Sequence, residues 1–201
     1  MSGDHRICFV GDSFVQGTAD PQCRGWVGRV CEAARRRGID VTAYNLGVRR
    51  DTSRDIRARW EAECAARFNV PCRSHVLFSF GANDMTMEDG ALRVSFDASV
   101  ANLQAVVVAA RRRHAVVVVG PPPVGEAAQD ERIVQLCRRY ALRAAQLEVP
   151  YLGLADALMS DERWMRDVAA SDGCHPGEVG CELVAAHVQA WPAWWFAGDG
   201  M

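Results

Sequence analysis

The chain has 201 residues, of which 49% are hydrophobic and 24% charged, and a formal net charge of −2. That length suits one well-packed domain and is short for two, so residues 1–201 are expected to form a single globular unit. The near-neutral balance excludes the broad basic field of a nucleic-acid-binding protein, although every basic side chain is arginine and lysine is absent.

The N-terminal residues pass almost directly into an apolar strand pattern with no signal-type hydrophobic stretch, and no later run reaches bilayer-spanning length. The expectation is a soluble, cytoplasmic protein without stable membrane insertion. Residues 6–10 (Arg-Ile-Cys-Phe-Val) read as a buried first strand that ends in Gly11-Asp12-Ser13. Ser13 then lies just beyond the strand's C-terminal end, where open α/β sheets bind ligands and a helix start offers free backbone N–H groups. Alone, Gly-Asp-Ser is more often an ordinary helix N-cap, with Asp12 or Ser13 capping and Gly11 turning the chain. Residues 14–24 read as a loop, residues 26–37 as a crossover helix stopped by Gly38, and residues 40–46 as a second strand that leads into Gly47.

A helix is expected over 53–68, capped by Thr52 or Ser53, and a third strand over 75–80 ends in Gly81-Ala82-Asn83-Asp84. A long helix over 96–114 precedes a nearly pure valine strand at 115–119, which needs a sheet covered on both faces. Residues 126–147 read as helix, 149–154 as a short fifth strand, and a last helix starts after Pro176 and runs toward Trp191. This alternation predicts a three-layer α/β/α sandwich around a five-stranded, parallel, doubly wound sheet of flavodoxin type. Loops after successive strands gather at one sheet edge, so Ser13, Gly47 and Asn83 should approach one site.

A serine hydroxyl needs an adjacent base, and that base needs an orienting carboxylate. Asp172 and His175 stand three apart on a loop shaped by Gly173 and Pro176, close enough for the carboxylate to fold back onto the ring; an Asx-turn with an incidental histidine is the bland alternative. The other histidines compete poorly. His5 precedes the first strand, His75 opens the third at its far end, His114 ends a helix and His187 lies within one.

Taken jointly and in order, Gly11-Asp12-Ser13, Gly47, Gly81-Ala82-Asn83-Asp84 and Asp172-Gly173-Cys174-His175 resemble the motifs of the SGNH, or GDSL-type, hydrolase superfamily of esterases and lipases, lysophospholipase-like members included. The resemblance implies Ser13 as nucleophile, His175 as general base and then acid, and Asp172 as its orienting partner. It also implies an oxyanion hole from the N–H groups of Ser13 and Gly47 and the amide of Asn83, with no cofactor and no metal. Gly47 suits a place where a side chain would crowd the carbonyl, and Asp12 and Asp84 read as loop-organising acceptors.

One departure from the family is Arg50, where a second glycine is frequent. Arg49, Arg50 or Arg54 would favour an anionic substrate if they faced the pocket; the alternative is a solvated face paired with Asp51 and Asp55. Met85 and Met87 are candidate acyl-pocket linings or simply packing. The dense aromatic stretch from Trp191 to Phe196 suits packing across the fold, a homodimer contact or a rim for acyl chains.

Eight cysteines would suit a secreted disulfide framework, yet they are scattered, with no CxxC. Cys8, Cys31, Cys64 and Cys137 read as small core residues, whereas Cys174 and Cys181 flank the last motif, where a bridge or redox switch is conceivable.

The expected function is therefore cleavage of a small-molecule acyl ester through an acyl-enzyme. A thioesterase, lysophospholipase, carbohydrate O-deacetylase or acyltransferase would use the same site. A nucleotide- or phosphate-binding module of flavodoxin type is the rival from another class, but G-x-G-x-x-G and a Walker lysine are missing. A catalytically dead interaction module is disfavoured because every motif position is filled, and a metallohydrolase because only one ligand pair is evident.

Overall fold

The computed structural model of the protein describes residues 3–197. β1 (His5–Gly11), β2 (Val41–Gly47), β3 (Arg73–Ser79), β6 (Ala115–Val119) and β7 (Tyr151–Leu152) form one sheet in the order β2-β1-β3-β6-β7, every pair parallel. The chain leaves β1 for one side and returns to β3 on the other. A crevice therefore opens between the C-terminal ends of β1 and β3. A separate two-stranded ribbon, β4 (Met87–Glu88) with β5 (Ala91–Leu92), follows the Asn83 turn.

The helices are α1 (Ser13–Gln16), α2 (Gly25–Arg36), α3 (Ser53–Arg67), α4 (Phe96–Ala110), α5 (Ala127–Gln146), α6 (Ala155–Met159), α7 (Glu162–Ala170) and α8 (Glu178–Ala190). Strand interiors read as continuous apolar runs because both faces are covered. Ile7, Cys8, Phe9 and Val10 are wholly buried, and full burial of a valine or isoleucine contributes about 1.5–3 kcal/mol. Cys8, Cys31, Cys64 and Cys137 belong to this core, and all eight cysteines are free thiols, Cys174 and Cys181 included.

Several boundaries differ from expectation for identifiable reasons. The segment after Ser13 is a short helix before it is a loop: Asp12 caps it by accepting from Phe14 N–H at 3.0 Å, and Gly17 ends it at φ 84°. A Cβ on Gly17 would stand 2.7 Å from the Cα of Gly25, so these two glycines let the loop close on itself. The long fourth helix stops at Ala110, and His114 lies beyond it with Nδ1 2.8 Å from Ser74 Oγ. The fifth strand is only two residues long; Pro150 before it has no N–H for the ladder, though its carbonyl accepts from Val118 at 2.9 Å.

The C-terminal aromatics close the far end of the sheet. Trp194 and Phe196 are buried, with Phe9, His5 and His75 beside them, at the N-terminal edge of the strands. Phe196 packs on His5 at the start of β1 and Trp194 on Phe9 within it, so the stretch is used for packing across the fold.

Candidate active site

Strand register sets the floor of the site. Gly11 is level with Gly47 on one side and Ser79 on the other, so the turns after β1, β2 and β3 leave the sheet at one height. Gly11 has no room for a side chain, since a Cβ would meet the Ser79 carbonyl at 2.1 Å. Gly47, too, has no room for a side chain, on account of the nucleophile turn. A Cβ there would strike Gln16 N at 2.2 Å and the Asp12 carbonyl at 2.7 Å, so it would push on the turn that carries Ser13.

Three side chains from the two ends of the chain meet above this floor. His175 Nε2 lies 2.8 Å from Ser13 Oγ, and His175 Nδ1 lies 2.7 Å from Asp172 Oδ2. With Nδ1–H donating to the carboxylate, Nε2 is left to accept the serine proton. Asp172 is itself fixed, because its Oδ1 accepts from the backbone N–H groups of Cys174 at 3.0 Å and His175 at 2.8 Å. Burial opposes ionisation of this carboxyl, yet those hydrogen bonds and the His175 ring hold it below the usual carboxylate range. The loop hangs from α7, where Ser171 and Gly173 both donate to the Val168 carbonyl at 3.2 Å. Phe14 packs against the His175 ring, with centroids 5.2 Å apart.

Two neighbouring carboxyls are tuned the other way. Asp12 is 2% exposed, and burial raises it to about 7 although it accepts from Phe14 N–H. Asp84 is wholly buried and also raised by burial, against hydrogen bonds from Ser53 N–H (2.8 Å) and the Ser99 hydroxyl. Ser99 in turn lies 2.6 Å from the Tyr140 hydroxyl. Asp84 thus ties the β3 turn to the start of α3.

Potential oxyanion donors cluster nearby. Ser13 N–H stands at the first position of α1, where helix geometry provides no intrahelical acceptor. Asn83 Nδ2 gives one hydrogen to the Asp51 carbonyl at 3.0 Å, which fixes the amide and leaves its second hydrogen for another acceptor. Gly47 N–H donates to Asn45 Oδ1 at 3.0 Å, so it reaches an oxyanion only by leaving or sharing that carbonyl. Asn45 is an unforeseen participant; its Nδ2 is anchored on the Val15 carbonyl at 2.8 Å.

The remaining candidates disperse. Met85 is wholly buried in the core. Arg49 and Arg50 occupy the turn closed by Asp51 N–H on the Val48 carbonyl (3.3 Å), and both side chains are exposed. Arg50 has φ +68°, so the third position of this turn takes the left-handed conformation that glycine adopts freely. Its guanidinium reaches Glu88 on the β4 ribbon at 3.0 Å. Asp51 pairs with Arg59, and Asp55 completes a capping box with Thr52. The turn at 82–86 is further held from α5, where Gln129 donates to the Ala82 carbonyl (2.9 Å) and Arg132 to the Met85 carbonyl (3.0 Å). No short motif in the sequence marks Arg59, Gln129 or Arg132.

Known structures share this architecture. A lipase/acylhydrolase from Enterococcus faecalis superposes with a TM-score of 0.77 at 23% identity, over 92% of this chain and 93% of that one. Axe2, an acetylxylan esterase from Geobacillus stearothermophilus, superposes with a TM-score of 0.72 at 19% identity, over 90% and 91%. No curated protein sequence matches the chain significantly. The profile of the GDSL-like Lipase/Acylhydrolase family matches residues 9–183, from β1 through the Asp172 and His175 loop into α8, and the chain belongs to that family of ester-hydrolysing enzymes.

Proposed function

We propose that this protein is a serine esterase that cleaves carboxylic esters through an acyl-enzyme on Ser13. The observation that carries the reading is the hydrogen-bonded line from Ser13 Oγ through His175 to Asp172, at 2.8 and 2.7 Å. Ser13 Oγ attacks the ester carbonyl carbon as its proton passes to His175 Nε2. Asp172 holds the Nδ1–H tautomer and stabilises the imidazolium. The oxyanion meets Ser13 N–H, the free hydrogen of Asn83 Nδ2, and Gly47 N–H once Asn45 gives way; one such donor is typically worth about 3–4 kcal/mol of barrier. Collapse expels the alkoxide, protonated by His175; water then attacks the acyl-enzyme carbonyl as its proton passes to His175 Nε2, and the second collapse breaks the bond to Ser13 Oγ, which takes that proton back as the acid leaves.

Esters with a short or medium acyl chain are the first substrate class. The Geobacillus neighbour is an acetylxylan esterase, which favours carbohydrate O-deacetylation as a second reading. Arg49, exposed two residues after Gly47, is the side chain offered to an anionic leaving group. Eight unpaired thiols favour a reducing compartment such as the cytoplasm. Among the described residues no helix is long and apolar enough to cross a membrane.

Hydrolysis of p-nitrophenyl acetate through decanoate by the wild type and by Ser13→Ala tests the reading. Turnover of the short esters that disappears in the variant is expected. Turnover that survives in Ser13→Ala would contradict it.

A further inference from the structure

Arg59, which touches none of the groups in the proton line, joins the turns on which the reacting groups stand. It projects from α3, and its Nε donates to Asp51 Oδ2 at 2.6 Å. Its Nη2 donates to the Gly11 carbonyl at 2.8 Å, and its Nη1 to Glu63 Oε2 at 3.0 Å. The Arg59 and Asp51 side chains are only 19% and 15% exposed, so the pair is shielded from much of the solvent that weakens surface ion pairs.

Each end of this clamp leads to the site. Gly11 closes β1 two residues before Ser13, and its carbonyl also accepts from Val48 N–H at 3.0 Å, the residue after Gly47. Asp51 closes the next turn, and its backbone carbonyl orients the Asn83 amide. One planar cation therefore connects the nucleophile turn with the carboxyl of the very residue whose carbonyl aligns Asn83. The geometry needs several N–H donors diverging in a fixed fork, which an ammonium group does not supply. An ordinary helix-surface pair with Glu63 would require none of this reach.

We propose that Arg59 is a positioning residue for acyl transfer: it holds the nucleophile and oxyanion turns at a fixed separation, so that Ser13, Gly47 and Asn83 converge on the developing oxyanion together. The proposal rests on the esterase reading above. Convergence to within a fraction of an ångström matters to the transition state far more than to the bound ester, so loosening the clamp lowers kcat and leaves KM nearly unchanged. A misplacement near 1 Å costs roughly 100-fold, and a partial loosening is expected to cost about 10- to 100-fold.

The test measures kcat, KM and thermal midpoint on p-nitrophenyl acetate for the wild type, Arg59→Ala and Arg59→Lys, with and without millimolar methylguanidinium. Both variants should lose about 10- to 100-fold in kcat with KM within about threefold, and methylguanidinium should restore part of the loss in Arg59→Ala alone. Either folded variant with kcat within about twofold of wild type would overturn the proposal, as would a loss that follows the unfolded fraction and disappears on cooling. If Arg59→Ala does not fold, Arg59→Lys decides, because it keeps the stem and the charge and lacks only the fork. A wild type that turns over no ester would instead remove the esterase reading, and the proposal with it.

Discussion

The two ends of the sheet hold histidines in opposite situations. At the C-terminal edge, His175 has a carboxylate on one nitrogen and the Ser13 hydroxyl on the other, at 2.7 and 2.8 Å. At the N-terminal edge, His75 faces the His5 ring across 3.0 Å and lies against Trp195, with centroids 4.5 Å apart; its Nδ1 is buried with no hydrogen-bond partner among the described residues. Burial first, then the nearby His5 and Arg73, push His75 down to about 4. Among the described residues no carboxylate hydrogen-bonds its ring, and it stays neutral at ordinary pH. What makes a base on this scaffold is the carboxylate behind the ring, not burial or aromatic contact.

The sharpest way to break that contrast is to delete each histidine in turn. His175→Ala should lower kcat by about 10⁴- to 10⁶-fold, as loss of a triad base does elsewhere, whereas His75→Phe should stay within about twofold. Comparable losses in both, measured on the same short ester, would remove the distinction between the two ends.

The next effect is on stability. A histidine whose folded pKa lies below its unfolded value binds fewer protons when folded. His75 therefore contributes nothing adverse above pH 6.5, and stability falls as pH drops from there toward 4. His5, also lowered by burial, acts in the same direction. Asp12, raised to about 7, acts in the opposite sense over the same range, so the test is a difference: the urea midpoint of the wild type relative to that of His75→Phe should fall as pH drops from 6.5 to 4. A parallel slope in the variant would place the acid sensitivity elsewhere.

The smallest effect concerns the turn at the mouth of the site. Arg50→Gly removes a left-handed arginine that costs about 1–2 kcal/mol, but it also loosens the unfolded chain and discards an exposed pair with Glu88. The net change in thermal stability should stay within about 1 kcal/mol, while Arg50→Val should destabilise clearly, because a branched side chain tolerates this φ poorly. A stable Arg50→Val would mean that the turn readily adopts another conformation.

The sheet was legible because buried parallel strands are written as unbroken apolar runs: residues 115–119 match β6 at both ends. Ser13, Asp172 and His175 were legible as chemistry because a serine needs a base and a base needs a carboxylate, and the fold brings the three together. The supporting contacts were not. Gly47 is demanded by the backbone of Asp12 and Gln16, a close approach between turns distant in sequence that no local pattern encodes. Arg59 resembles any other arginine on a polar helix face until β1 and the turn after β2 are placed beside it. Helix α6 was passed over because it is only five residues long, whereas α7 does carry a legible signal, an Asp161 N-cap and the apolar i, i+4 pair Trp164 and Val168, and it bears the loop of Asp172.

The most direct test of the account is intact-mass analysis after exposure to a fluorophosphonate, with the labelled peptide located by tandem mass spectrometry. One adduct is predicted on wild-type protein, at Ser13, absent from Ser13→Ala and formed far more slowly in His175→Ala. An unlabelled wild type, or an adduct that persists in Ser13→Ala, would contradict the claim that Ser13, His175 and Asp172 act together as the nucleophilic centre.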